Sequence, residues 1–113
     1  MRADLIRVQH MLDAAREATS FARRRTRQNL DTDRTLVLAL VQCIAIIGEA
    51  ASRITAEFQQ RYPQLPWADI IAMRNRLIHA YFDVNLDILW ETVSEDLPAL
   101  IPALEKMVEG QDG

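Results

Sequence analysis

Residues 36–47 are apolar at every position except Gln42, and the run closes on Gly48-Glu49. A membrane-crossing helix needs roughly 18 or more such residues, so this stretch predicts a buried helix and not a bilayer span. A helix that is apolar nearly all round has no face to offer water. It must be the central member of a bundle, or part of a seam between copies. The rest of the chain therefore has to supply helices to cover it. The composition agrees, with 50% hydrophobic residues, only 6% aromatics and few Gly or Pro. Leu, Ala, Ile and Arg are abundant, and that mixture favours helix over sheet.

A first helix is predicted over residues 4–25, where Leu5, Val8, Met11 or Leu12, Ala15 and Ala18 recur at helical spacing. A polar link follows, with Asp31 or Asp33 as the N-cap of a long second helix over residues 33–60. Tyr62-Pro63-Gln64-Leu65-Pro66 is the clearest break, and Pro66 suits the first turn of a third helix, which carries Trp67 to Met73 straight into Arg74. The pattern lapses around residues 81–85, and Asn85 or Asp83 can cap a fourth helix over residues 86–94. A last helix covers residues 97–108, where Pro98 is tolerable only in the first turn and Pro102 implies a kink or a later start. The expected fold is all-α, an antiparallel bundle of four to five helices forming a single domain over residues 1–113.

The N-terminus mixes Arg2, Asp4 and Arg7 with apolar residues, unlike a signal peptide. The single Cys43 lies inside the apolar run, so no internal disulfide can form and a buried inert thiol in a cytoplasmic setting is expected. The net charge is −3, but residues 1–56 carry nine Arg against six acids, while residues 57–113 carry four bases against ten acids. A general nucleic-acid coat protein is thereby disfavoured, whereas a local basic site is not. Arg23-Arg24-Arg25 with Arg27 is the densest basic cluster. It reads either as a solvated helix end or as a phosphate contact.

Chemistry concentrates in Arg74-Asn75-Arg76-Leu77-Ile78-His79-Ala80-Tyr81. No glycine-rich phosphate loop or cluster of metal ligands is visible in the chain, and His10 reads as a surface residue. At about 100° per residue, with Arg74 as origin, Ile70, Ile71, Leu77, Ile78 and Tyr81 fall near roughly 320°, 60°, 300°, 40° and 340°. Arg74 then stands in the apolar face, where an unpaired charge is costly. Three resolutions are open. The side chain can snorkel outward, pair with a buried Glu49 from helix two, or line a cleft between two subunits that receives an anion. Asn75 and His79, at i and i+4, are placed to touch, so Asn75 is expected to orient the imidazole.

At these residues the chain resembles the HepT family, a branch of the HEPN superfamily of all-helical ribonucleases. The family motif is Arg, four to six residues of which the first is usually polar, then His-x-Tyr, and Arg74, Asn75, His79 and Tyr81 match its shortest spacing. The segments Ile46-Ile47-Gly48-Glu49-Ala50-Ala51, Pro66-Trp67, Val84-Asn85-Leu86-Asp87-Ile88-Leu89-Trp90 and Asp96-Leu97-Pro98 also look like family features. The resemblance implies a toxin of a toxin–antitoxin pair, acting as a metal-independent endoribonuclease without cofactor. Arg74, Asn75 and His79 would be catalytic, with Asn75 orienting His79 or the phosphate; Glu49 is expected only as the structural partner of Arg74. It implies a homodimer with a composite site, or a higher assembly with the antitoxin, and no membrane. The implied partners are RNA and an MntA-like minimal nucleotidyltransferase that places AMP on Tyr81. The alternative is a non-catalytic helical module that binds such a nucleotidyltransferase.

Overall fold

The computed structural model describes residues 2–80 and 83–110. In chain order the elements are α1 (Arg2–Ala22), α2 (Asn29–Thr32), α3 (Arg34–Ser52), α4 (Ala56–Arg61), α5 (Trp67–Leu77), β1 (Ile78–Ala80), β2 (Asp83–Val84), α6 (Leu86–Glu91) and α7 (Leu97–Gly110), with a π-helical turn over Thr92–Asp96. The fold is the expected all-α bundle. Helix α1 packs against α3 and α7, and α3 packs against α5. The Asp4 carboxylate, at the start of α1, accepts from Thr55, just beyond the end of α3, so these two helices run antiparallel.

Helix α3 is the core member. Leu40, Ile44, Ile47 and Ala51 are fully buried, and Leu36, Val37, Cys43 and Ala50 nearly so. It extends beyond the apolar run at both ends, and its 19 residues are long and apolar enough to cross a membrane by length and composition. About half of the helix is buried within the fold, as expected of a core helix. Its N-cap is Asp33, as expected, whose side chain accepts from Leu36 N–H at 3.0 Å. That backbone bond, helped by Arg25, holds the Asp33 carboxyl below its ordinary range.

The predicted long second helix is broken. Thr55 starts a separate helix, α4, by accepting from Phe58 N–H at 3.3 Å. The Thr55 N–H and hydroxyl donate to the Asp4 carboxylate at 2.8 and 2.9 Å. Asp4 is only 3% exposed, so this contact, 51 residues away in sequence, gives the freed backbone at residue 55 a buried partner. Phe58, fully buried, then seats α4 on the core.

Helix α1 ends at Ala22, with Arg24 in the left-handed region at φ 64°. Two of the four arginines in the basic link behind it are ion-paired. Arg25 meets Asp33 at 3.1 Å, and Arg27 meets Asp31 at 3.0 Å and Asp87 at 2.7 Å. The hydrogen bonds Arg27 donates to Asp87 and then to Asp31 raise its pKa above its ordinary value. The link is thereby tied to the first turn of α6.

Instead of two helices separated at residues 95–96, α6 and α7 join through the π turn, with α7 starting at Leu97 as expected. The Thr92 and Ser94 hydroxyls donate back to the Ile88 and Trp90 carbonyls at 2.8 and 2.7 Å, a contact that loosens helices locally. Pro98 and Pro102 both face water, where the carbonyls they leave without an N–H partner can be hydrated.

One glycine sets the spacing between α3 and α5. A Cβ on Gly48 would lie 3.2 Å from the Ile71 carbonyl oxygen and 3.5 Å from that of Ile70. We expect Gly48→Ala to be nearly neutral, because removing a helical glycine gains about 0.5–1 kcal/mol and offsets the tight contact. Gly48→Leu should lower stability by about 1–3 kcal/mol through overpacking. Thermal melts of both variants check this, and a Leu variant as stable as wild type would contradict the close approach.

Candidate functional site

Helix α5 packs through Trp67, Ile70, Met73 and Leu77. Those positions centre at roughly 315° on the same wheel, which leaves Arg74 at the edge of the stripe and not in its middle. Arg74 is exposed, and its side chain makes no hydrogen bond or ion pair with any described residue. The wheel misleads because it counts Ile71, which is 37% exposed, and Ile78, which is not helical.

The buried Arg74–Glu49 pair is not formed. Glu49 is exposed and meets Arg53, one turn along α3, at 3.0 Å (Nε) and 2.7 Å (Nη2). Glu49 nevertheless shares two recesses with Arg74. One, of about 250 Å³, also includes Gly48, Ser52, Ile71 and Asn75. The other, of about 600 Å³, opens toward α1 and is lined by Arg7 and His10 as well. Arg76, only two residues on, lines a different groove with Asp69, Glu95 and Asp96, and its Nη2 donates to the Asp69 carbonyl at 3.1 Å.

Beyond Leu77 the helix stops. Ile78 N–H still donates to the Arg74 carbonyl, but Asn85 N–H takes the Leu77 carbonyl at 2.6 Å, and Ile78 pairs antiparallel with Val84. This short strap moves His79 off the helix, so the expected i,i+4 pairing with Asn75 does not form. Asn75 stays in the Arg74 recess, and His79 is exposed outside both recesses that Arg74 lines.

Asn85 takes the place expected of Asn75. Its Oδ1 accepts from Ile88 N–H at 3.0 Å, capping α6 as predicted. With the oxygen committed, Nδ2 is turned to His79 Nε2 at 3.5 Å. When Nε2 accepts from that amide, the ring proton sits on Nδ1. Sequence reasoning identifies Asn85 as a cap only. The signal it lacks is the strand pairing that brings positions 79 and 85 together. Tyr81, the expected modification site, lies outside the described residues.

Burial raises the Cys43 thiol to about 11, with Glu17 adding to the effect, which keeps it un-ionised as expected of an inert core thiol. Among the described residues no group of three or more His, Cys, Asp or Glu is placed to hold a metal ion.

A family model described as ribonuclease HepT-like matches residues 11–107. "Probable ribonuclease HepT" of Thermococcus cleftensis is 41% identical over 75 residues, covering 66% of this chain and 68% of that protein. "Gamma-glutamylcyclotransferase and putative RNase" of Methanocaldococcus jannaschii is 34% identical over 113 residues, which is 99% of this chain and 51% of the relative. A "Putative RNase" of Caldanaerobacter subterraneus subsp. tengcongensis is 43% identical over 77 residues, 68% of this chain and 65% of the relative. The chain thus spans between about half and about two thirds of the length of these relatives. No solved structure matches it significantly. On the family match and these identities, the chain belongs to the HepT-like ribonuclease family, and its all-α bundle is of the HEPN type.

Proposed function

We propose that this chain is an endoribonuclease that uses the 2′-hydroxyl of RNA as nucleophile and serves as the toxin of a toxin–antitoxin pair in the cytoplasm. Family membership supports the substrate class. The observation that carries the chemistry is Arg74, an exposed guanidinium with no partner among the described residues, at the rim of an open recess. A fixed, delocalised cation of this kind suits a phosphate and the charge that develops on it.

His79 takes the 2′-hydroxyl proton, and the 2′-oxygen attacks the adjacent phosphorus. The P–O5′ bond breaks, and the leaving 5′-oxygen gains a proton from a second imidazole or from water. The products are a 2′,3′-cyclic phosphate and a 5′-hydroxyl. RNA supplies its own nucleophile, so this route needs no metal-activated water. Asn85 orients His79, while Asn75, beside Arg74, is placed to bind phosphate oxygens.

Arg74 and His79 occupy separate places on one chain. A homodimer resolves this, because a two-fold axis sets one copy's His79 against the other's Arg74. The exposed Ile71 beside Arg74 offers apolar surface for that contact. The same separation also favours the second reading, a non-catalytic module that binds a nucleotidyltransferase.

In the toxin reading an MntA-like nucleotidyltransferase places AMP on Tyr81, and the added phosphate charge and adenosine bulk block RNA binding. Expression of the chain alone should arrest growth, and co-expression of such a nucleotidyltransferase should restore it, with adenylyl mass on the chain. Tyr81→Phe should remain toxic and resist rescue. Wild type that is harmless while unmodified would favour the binding module. Loss of toxicity in Tyr81→Phe would remove the regulatory role of the phenol.

A further inference from the structure

The geometry points to a second phosphate-binding position on the α1 side of Arg74, where Arg7 and His10 hold the RNA strand next to the phosphate at Arg74. This inference rests on the ribonuclease reading and extends its substrate site. The recess of about 600 Å³ is lined by Arg7, His10, Gln42, Glu49, Arg53 and Arg74 among others. Its one acid, Glu49, is ion-paired with Arg53, whose Nε and Nη2 both donate to Oε1, at 3.0 and 2.7 Å. Arg7 and Arg74 have no partner among the described residues, so the recess carries a local excess of two positive charges within a chain of net charge −3.

Two unpaired guanidiniums bordering one open recess repel each other, and an anion between them relieves that repulsion. Arg7 and His10 stand three apart on α1 and so share a face. Opposite them, Gln42, Ile46, Glu49 and Arg53 follow one stripe of α3. That stripe is about 16 Å long at 1.5 Å per residue, enough to lie beside more than one nucleotide of a strand. Ile46, 38% exposed, offers a base an apolar surface beside the Gln42 amide.

The test is equilibrium binding of an oligouridylate of about 12 nucleotides to the His79→Ala protein, which does not consume it, across a range of KCl. Adding Arg7→Gln and His10→Ala should weaken binding and flatten the log–log salt slope by about 0.7 for each phosphate that is no longer neutralised. Arg23→Gln, about 24 Å away along α1 at 1.5 Å per residue, should leave the slope unchanged. In the cleaving protein the same pair of changes should raise KM and spare kcat. His10→Ala alone, at an exposed position, carries the test should Arg7→Gln disturb folding. An unchanged slope and KM, or an equal loss from Arg23→Gln, would overturn the second position and leave the ribonuclease reading standing. A parent protein that binds no RNA, with a wild type that cleaves none, would overturn both.

Discussion

Arg74→Ala should lower kcat/KM for RNA by about 100- to 1,000-fold, the usual loss when a preorganised donor to developing charge is removed. Stability should hardly move, within about 0.5 kcal/mol, because the side chain is exposed and has no partner among the described residues. Arg74→Lys should recover only a small part of the activity, since an ammonium lacks the flat fork that grips two phosphate oxygens at once. Steady-state kinetics with parallel thermal melts measure both quantities. A variant that loses its fold in step with its activity would mean that Arg74 is structural and that the open cation is misassigned.

For His79→Ala the expected loss is about 100- to 10,000-fold in kcat, the range for removal of a general acid or base. RNA binding should persist, since phosphate affinity resides in the arginines. Asn85 acts through His79 and is a positioning residue, so its test needs a readout that structural damage would not produce. Asn85→Asp keeps the oxygen that caps α6 at Ile88 N–H but sets a carboxylate oxygen where the amide faces His79. A nearby negative charge favours the protonated imidazole, so the limb of the pH–rate profile assigned to His79 should move to higher pH. Asn85→Ala should instead lower stability by about 0.5–2 kcal/mol through loss of the cap. An unshifted profile in Asn85→Asp would detach Asn85 from the chemistry.

What can be read in the sequence, and what cannot, divides by the range of the forces involved. The core stripe of α3, the caps Asp33 and Asn85, and the start of α5 after Pro66 are local patterns, and they are found where periodicity and turn chemistry place them. The break at residues 53–55 is hidden because it depends on a carboxylate from α1, brought to Thr55 only by folding. The surroundings of His79 are misread for a related reason. Extending α5 as an ideal helix through His79 puts Asn75 beside the imidazole, whereas a backbone bond from Asn85 to Leu77 ends the helix and substitutes Asn85. Glu49 looks embedded because its sequence neighbours are apolar, yet it lies on the exposed side of α3 with Arg53. Arg74 stands out in the sequence as a charge central to an apolar face, and in the structure as an exposed charge at that face's edge.

The most direct test of the ribonuclease account is cleavage of RNA by the purified chain in excess EDTA, with the product ends mapped and Tyr81 shown by mass to be unmodified. The account predicts cleavage by wild type that leaves 2′,3′-cyclic phosphate and 5′-hydroxyl ends, and cleavage slower by about 100-fold or more in His79→Ala. Cleavage that disappears with EDTA, or that leaves 3′-hydroxyl and 5′-phosphate ends, would contradict a mechanism driven by the RNA's own hydroxyl.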